Sequence, residues 1–171
     1  MRVTRGRGVD TGDSAVDEQL RLFGANMRAT RLQAGLTQQE LSRVAQLDRA
    51  AISFIERAKR SPDLATLLKI AHALRTTPAN LLGEIGAPAP NLRGPRDGPL
   101  PSDPAKRLGA NLTWARRRAK VSQETLALEA NVDRAAISVY EHGRREPNLR
   151  TVIKLASALD VSAATLVRGV R

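Results

Sequence analysis

The feature that most constrains the fold of this chain is an internal duplication. The six residues DRAAIS occur at 48–53 and again at 133–138. When the chain is shifted against itself by 85 residues, 22–83 aligns with 107–168 without a gap, and about two fifths of the aligned pairs are identical. Solenoid units are shorter, about 20 to 50 residues, so we expect each copy to fold as a complete domain.

The segment between the copies has the composition of a linker. Residues 83–104 hold six of the nine prolines and four of the twelve glycines. The domain organisation that we predict is a flexible basic N-terminal tail (1–16), a first domain (17–83), a Pro/Gly-rich linker (84–104) and a second domain (105–171).

Both copies show the periodicity of amphipathic helices, and no segment has the alternation of a strand. The predicted apolar face of the first helix is Phe23, Met27, Thr30 and Ala34 in copy one, and Leu108, Leu112, Ala115 and Ala119 in copy two. Residues that suit helix N-caps precede four further helices in each copy: Thr37, Asp48, Asp63 and Thr77, and then Ser122, Asp133, Asn148 and Ser162. We therefore predict an all-α fold of five short helices per copy. Glu40 is placed to complete a capping box with Thr37.

The charge predicts an anionic partner. Lys and Arg outnumber Asp and Glu by 28 to 17, a net charge of +11. Residues 17–83 hold ten basic and six acidic side chains, and residues 105–171 hold thirteen and six. Because the excess lies in the folded blocks, it favours a shaped binding surface over loose charge neutralisation. The alternative is a surface that only aids solubility.

The strings GLTQQELSRVAQLDRAAISFIERAKRSPDLATLLKIAHAL and KVSQETLALEANVDRAAISVYEHGRREPNLRTVIKLASAL resemble the phage-repressor/Cro-like (XRE-like) helix-turn-helix family. The resemblance covers about 125 residues in the two copies. It implies two tandem five-helix lambda-repressor-like domains. In each, the third helix would enter the DNA major groove.

Carried over by position, the residues that the resemblance implies for base contacts are Arg49, Ala50 and Phe54, with Arg134, Ala135 and Val139. An arginine can bind guanine O6 and N7 together, and an alanine can contact a thymine methyl group. The alternative is that the repeated phrase is kept for packing, which we prefer for Ile52, Ile137, Ala51 and Ala136.

The resemblance also implies phosphate contacts and two salt bridges. The phosphate candidates are Gln38, Gln123, Lys59, Arg60, Arg144 and Arg145; for the glutamines the alternative is simple solvation. Arg31 with Glu56 and Arg116 with Glu141 are expected to be structural ion pairs.

Two positions depart from the family pattern. The turn before the third helix usually has glycine, where this chain has Gln46 and Asn131. After the third helix, copy two has the usual Gly143, whereas copy one has Ala58. The backbone around the third helix is therefore expected to be more strained in copy one than in copy two.

We predict a cytoplasmic, nucleoid-associated bacterial regulator of transcription, more specifically a repressor, whose partner is double-stranded DNA. A homodimer and a regulatory protein partner remain open, with Trp114 as a contact point or simply a half-buried surface residue. The alternative function is that of an antitoxin or anti-activator that neutralises a partner protein. We expect no enzyme, cofactor or metal site, since the chain has no cysteine, only two histidines and no nucleophile beside a base.

Overall fold

The computed structural model describes residues 11–83 and 101–170. Within these ranges the chain forms ten α-helices and no strand apart from one isolated backbone bridge, as the all-α prediction requires. The first domain contains α1 (Thr11–Gln33), α2 (Gln38–Ala45), α3 (Arg49–Glu56), α4 (Leu64–Ala73) and α5 (Pro78–Leu82). The second contains α6 (Pro104–Ala119), α7 (Gln123–Glu129), α8 (Arg134–Glu141), α9 (Leu149–Ala158) and α10 (Ala163–Leu166).

The helix starts follow the capping residues. The Thr37 hydroxyl accepts the backbone N–H of Glu40 at 3.1 Å, and the Glu40 carboxylate accepts the N–H of Thr37 at 2.7 Å, so the predicted capping box is confirmed. These hydrogen bonds with Thr37 lower the pKa of Glu40. Ser122 caps α7 without a box, as expected.

Three expectations about the first helix of each copy and about the caps were wrong. Helix α1 begins at Thr11, so residues 11–16 are helical and do not belong to a flexible tail; the burial of Val16 explains why this turn is held. Ala34 and its counterpart Ala119 are both exposed, because Ala34 follows the end of α1 and Ala119 is the last residue of α6. Asp48 occupies the N-cap of α3 but makes no side-chain cap hydrogen bond, whereas Asp133 accepts the N–H groups of Ala135 and Ala136.

The remainder of the tail (1–10) and most of the linker (84–100) lie outside the described residues. Pro104, the last residue of the predicted linker, is the first residue of α6, where its missing N–H is no disadvantage.

Two glycines allow the first and third helices of each domain to approach closely. A Cβ atom on Gly24 would lie 2.6 Å from the carbonyl oxygen of Glu56, and one on Gly109 would lie 2.5 Å from that of Tyr140. Phe23 and Met27, and likewise Leu108 and Leu112, are buried beside these contacts in the core. The backbones of the first and third helices therefore pack nearly in contact, which places α3 and α8 at the surface.

A buried ion pair fixes the same helices. Arg31 donates from Nε to Glu56 Oε1 at 2.7 Å and from Nη2 to Oε2 at 3.2 Å, and both side chains are more than 90% buried. Arg116 and Glu141 repeat this geometry at 2.6 and 3.0 Å. The hydrogen bond to Glu141 raises the pKa of Arg116 above its ordinary value. Both predicted pairs are present, and each joins the first helix to the end of the third.

The two domains are docked against each other. Helix α5 packs against α10, and α1 packs against α9. The backbone N–H of Leu149 donates to the carbonyl of Pro62 at 2.8 Å, and Asp63 forms an antiparallel bridge with Asn148. The buried apolar side chains of both domains consequently form one continuous core.

A search for a membrane-crossing helix gives a negative result for the described part of the chain: no helix there combines the necessary length with the necessary apolar character.

The close approach at the glycines is testable. We expect Gly24→Ala and Gly109→Ala each to lower the free energy of unfolding by roughly 1–3 kcal/mol in urea denaturation, because the added methyl group meets backbone that cannot move cheaply. Gly83→Ala is the matched control: its Cβ would lie 3.4 Å from the nearest neighbouring atom. If the control destabilises the protein as much as the other two, the close packing does not require glycine.

The buried ion pair gives a second prediction. Glu56→Ala leaves the Arg31 guanidinium buried without its carboxylate, and we expect a loss of about 3–5 kcal/mol in the free energy of unfolding. The control is Glu18→Ala, which removes an exposed pair with Arg21 and should cost no more than about 1 kcal/mol. Equal losses in the two variants would contradict a structural role for Glu56.

Candidate nucleic-acid interface

The turn before each third helix requires an unusual backbone conformation. Gln46 and Asn131 both adopt positive φ, 53° and 49°, as the family pattern led us to expect for these positions. The backbone N–H of Gln46 donates to the carbonyl of Arg43, and the backbone N–H of Asn131 donates to the carbonyl of Leu128. These turns connect α2 to α3 and α7 to α8, and the helices of each pair pack against each other. A left-handed conformation suits asparagine better than glutamine, so the first turn is the more strained.

The candidate base-reading residues lie at the exposed front of the third helices. Arg49, Ala50, Arg134 and Ala135 are all exposed in the first turn of α3 or α8. Ile52 and Ile137 of the same phrase are fully buried, so their packing role, which we preferred, is confirmed. The repeated phrase thus combines a core residue with two side chains that face solvent.

The third residue of the proposed base-reading set differs between the domains. Phe54 is 43% exposed, and the Arg57 guanidinium lies over its ring at 5.6 Å. Arg57 also donates to the Ser53 hydroxyl at 2.9 Å, so this cation is tied to its own helix. The counterpart Val139 is half-buried and carries no such cover. The two reading surfaces therefore share their front and differ one turn later.

The side chains of Gln38 and Gln123 are bound within the fold. Gln38 Nε2 donates to Glu56 Oε2 at 2.8 Å, and Gln123 Nε2 donates to Glu141 Oε2 at 2.6 Å. Each glutamine keeps one further N–H and an amide oxygen, and it occupies the first position of α2 or α7, where backbone N–H groups point outward. A phosphate role for these residues stays a prediction. No local sequence pattern predicts the hydrogen bond from each glutamine to glutamate.

The loops after the third helices place the remaining basic candidates at the surface. Lys59, Arg60, Arg144 and Arg145 are exposed in the described residues. Ala58 and Gly143 precede them with φ of 54° and 63°, so copy one places an alanine where copy two has glycine. The expected strain in copy one is present at this position.

Sequence reasoning missed the contact that closes each domain. Asn26 donates to the carbonyls of Leu81 and Gly83, and Asn111 donates to those of Leu166 and Arg168. Asn26 and Asn111 occupy equivalent positions of the two copies, and the retention of this polar residue was the only available sign of the contact. The bonds join the first helix to the end of the fifth.

Two other predictions concern Trp114 and metals. Trp114 is half-buried against the core and has the Arg118 guanidinium over its ring at 5.5 Å, which agrees with the description of a half-buried surface residue.

In residues 11–83 and 101–170, no group of three or more potential ligands is arranged to hold a metal ion.

The chain is similar to known proteins over each of its copies. A model of the HTH_3 helix-turn-helix family matches residues 27–81 and again 112–166. Among curated relatives, the HTH-type transcriptional regulator YqaE of Bacillus subtilis is 37% identical over 59 residues, which are 34% of this chain and 51% of YqaE. The HTH-type transcriptional regulator y4dJ of Sinorhizobium fredii is 35% identical over 65 residues, 38% of this chain and 84% of y4dJ.

Among solved structures, the restriction-modification controller protein C.AhdI from Aeromonas hydrophila is 36% identical, with a TM-score of 0.37; the match covers 37% of this chain and 97% of the controller. The chain spans about half the length of YqaE. The two family-model matches together cover more than half of the chain and coincide with the two copies of the repeat. The chain therefore belongs to the HTH_3 helix-turn-helix family, of the XRE or Cro/C1 type, and contains two tandem copies of its domain.

Proposed function

We propose that this chain is a sequence-specific DNA-binding regulator of transcription that reads two related half-sites with α3 and α8. The observation that carries the proposal is the exposed Arg–Ala pair at the front of each helix, next to an isoleucine that is fully buried. Packing accounts for the isoleucines but not for Arg49 and Arg134. A bidentate contact with guanine gives these two side chains a role.

The surroundings of each front pair suit DNA. A helix N-terminus carries partial positive charge, and basic loops follow α3 and α8 at residues 57–61 and 142–146. The buried Arg–Glu pairs hold these helices at their C-terminal ends, so the reading side chains are presented without reorganisation of the backbone. Pre-organisation of this kind lowers the entropic cost of binding.

We further propose that the regulator represses. A protein that occupies two half-sites over a promoter blocks the access of RNA polymerase by its presence alone. This mode requires only tight binding, which two readers on one chain supply, because the second contact is intramolecular.

A second candidate function is supported by a separate observation. The outer face of α1 exposes Leu22 and Leu32, each by more than half, with Ala25 and Ala29 between them. The counterparts of the two leucines in α6 are Arg107 and Arg117, so copy two has no such apolar stripe. A protein that binds a partner, as an antitoxin or anti-activator does, would use this face instead of the reading helices.

The first experiment is a selection of genomic fragments by the purified chain at physiological salt, followed by sequencing of the bound DNA. Enrichment of two related half-sites that contain guanine supports the proposal. The absence of any enriched sequence would contradict it and favour the partner-binding function.

We expect Arg49→Ala and Arg134→Ala each to weaken binding to the selected operator by about tenfold or more, which corresponds to the roughly 1–3 kcal/mol of a bidentate guanine contact. Each variant should lose base preference at one position of its own half-site only. Lys69→Ala removes the same charge from an exposed position on α4 and serves as the control. If the chain acts only by binding a partner protein, the variant that carries both Arg49→Ala and Arg134→Ala should keep its regulatory activity.

The basic loops give a different signature. Arg144→Ala and Arg145→Ala should each weaken binding to all sequences alike and reduce the slope of log K against log salt concentration by about 0.9. Fluorescence anisotropy titrations at several salt concentrations measure this slope. An unchanged slope together with an altered base preference would contradict the phosphate role and indicate that these arginines contact bases.

A further inference from the structure

Equivalent parts of the two domains meet at the contact between them. Asp63 bridges Asn148, and these residues are separated by 85 positions, which is the offset of the internal repeat. Helix α5 packs against α10, its own counterpart. A head-to-tail arrangement would bring different surfaces of the two domains together. A surface that meets its own equivalent is the sign of a two-fold axis.

The direction of the bridged segments supports the same symmetry. If the domains were related by translation along the chain direction, equivalent segments would run parallel. The segments at Asp63 and Asn148 run antiparallel, so a rotation of about a half-turn relates them. The donation from Leu149 N–H to the Pro62 carbonyl holds the segments at this axis.

Both reading helices connect directly to this axis. Helix α3 ends at Glu56 and α8 at Glu141, and six residues separate each from Asp63 or Asn148. The seven steps from the helix end to the bridged residue reach at most roughly 25 Å, so the ends of the two helices lie within about 55 Å of each other. This limit admits the separation of about 34–36 Å between successive major grooves on one face of B-DNA.

The docking is reinforced by contacts that only one domain can make. The N-terminal part of α1 extends past the start of α6, and its Asp17 and Asp13 bind Arg150 at 2.5 Å and Lys154 at 3.2 Å on α9. The counterpart of Arg150 in the first domain is Ala65, and the counterpart of Asp17 in the second is Ser102. Pairing of a first domain with another first domain would lack the Asp17 contact. The Asp17–Arg150 pair therefore favours pairing of the two different domains.

We propose that one chain binds one operator as a monomer, and that the operator consists of two inverted, non-identical half-sites. This inference rests on the proposed DNA-binding function. A two-fold axis between the readers matches the local two-fold axes of duplex DNA and selects inverted over direct repeats. The shared Arg–Ala front selects the same bases in both half-sites, and Phe54 against Val139 makes the half-sites differ one turn later.

The first test uses the full chain and duplexes built from the selected half-sites. Each pair of half-sites is placed in inverted or direct orientation at the selected spacing, and the mass of the complex is measured by light scattering. We expect tight binding of the inverted duplex by a single chain. Preference for direct repeats, or two chains per duplex, would overturn the inference. Failure to select any sequence would instead reject the underlying DNA-binding function.

A charge exchange tests the docking itself. Asp17→Arg places two cations together at the domain contact and should lower the ratio of affinity for the full operator to affinity for a single half-site by about tenfold, because the two domains stay tethered but lose the fixed spacing that docking gives them. The added positive charge by itself strengthens binding to DNA, so a lower affinity for the full operator cannot come from the change in net charge. The double variant Asp17→Arg/Arg150→Asp has the net charge of the parent and should restore the ratio. An unchanged ratio in Asp17→Arg would overturn the docked arrangement.

Discussion

The arrangement of each domain depends on one buried carboxylate. Glu56 accepts from Arg31 on α1 and from Gln38 on α2, and Glu141 repeats this with Arg116 and Gln123. Three helices are thereby joined at the last residue of the third helix of each domain. Since a buried charge is tolerated only when its partners are complete, each domain has little freedom to tilt α3 or α8 without leaving a charge unpaired. The orientation of the exposed front of α3 and α8 follows from this constraint.

The second constraint acts between the domains. The backbone bridge at Asp63 and Asn148 and the contact of α5 with α10 join the two domains through equivalent segments. In a homodimer this contact would be made by two chains and would depend on concentration. Here the duplication supplies both halves, and the halves differ at Phe54 and Val139 on the third helices and in the longer α1 that carries Asp13 and Asp17.

The site was predictable to the extent that its residues act locally. The capping box at Thr37, the buried Ile52 and Ile137 and the salt bridges could be predicted, since they depend on spacing or on family resemblance that places each pair. The absence of a side-chain cap hydrogen bond at Asp48 could not be predicted, because Asp133 at the equivalent position forms such a bond. The two differ only in where the side chain lies. The hydrogen bonds of Gln38 and Gln123 to glutamate also depend on how helices approach in space.

The sequence by itself determined two all-α domains and the helix starts other than that of α1, because periodicity and capping act over a few residues. The family resemblance placed the pair of exposed arginines. Only the tertiary structure decided that the domains dock, which surfaces meet and that α1 begins at Thr11. The physical reason is separation along the chain. Asp17 and Arg150 lie 133 residues apart, and no local pattern in either segment specifies that an acid on α1 will meet a base on α9.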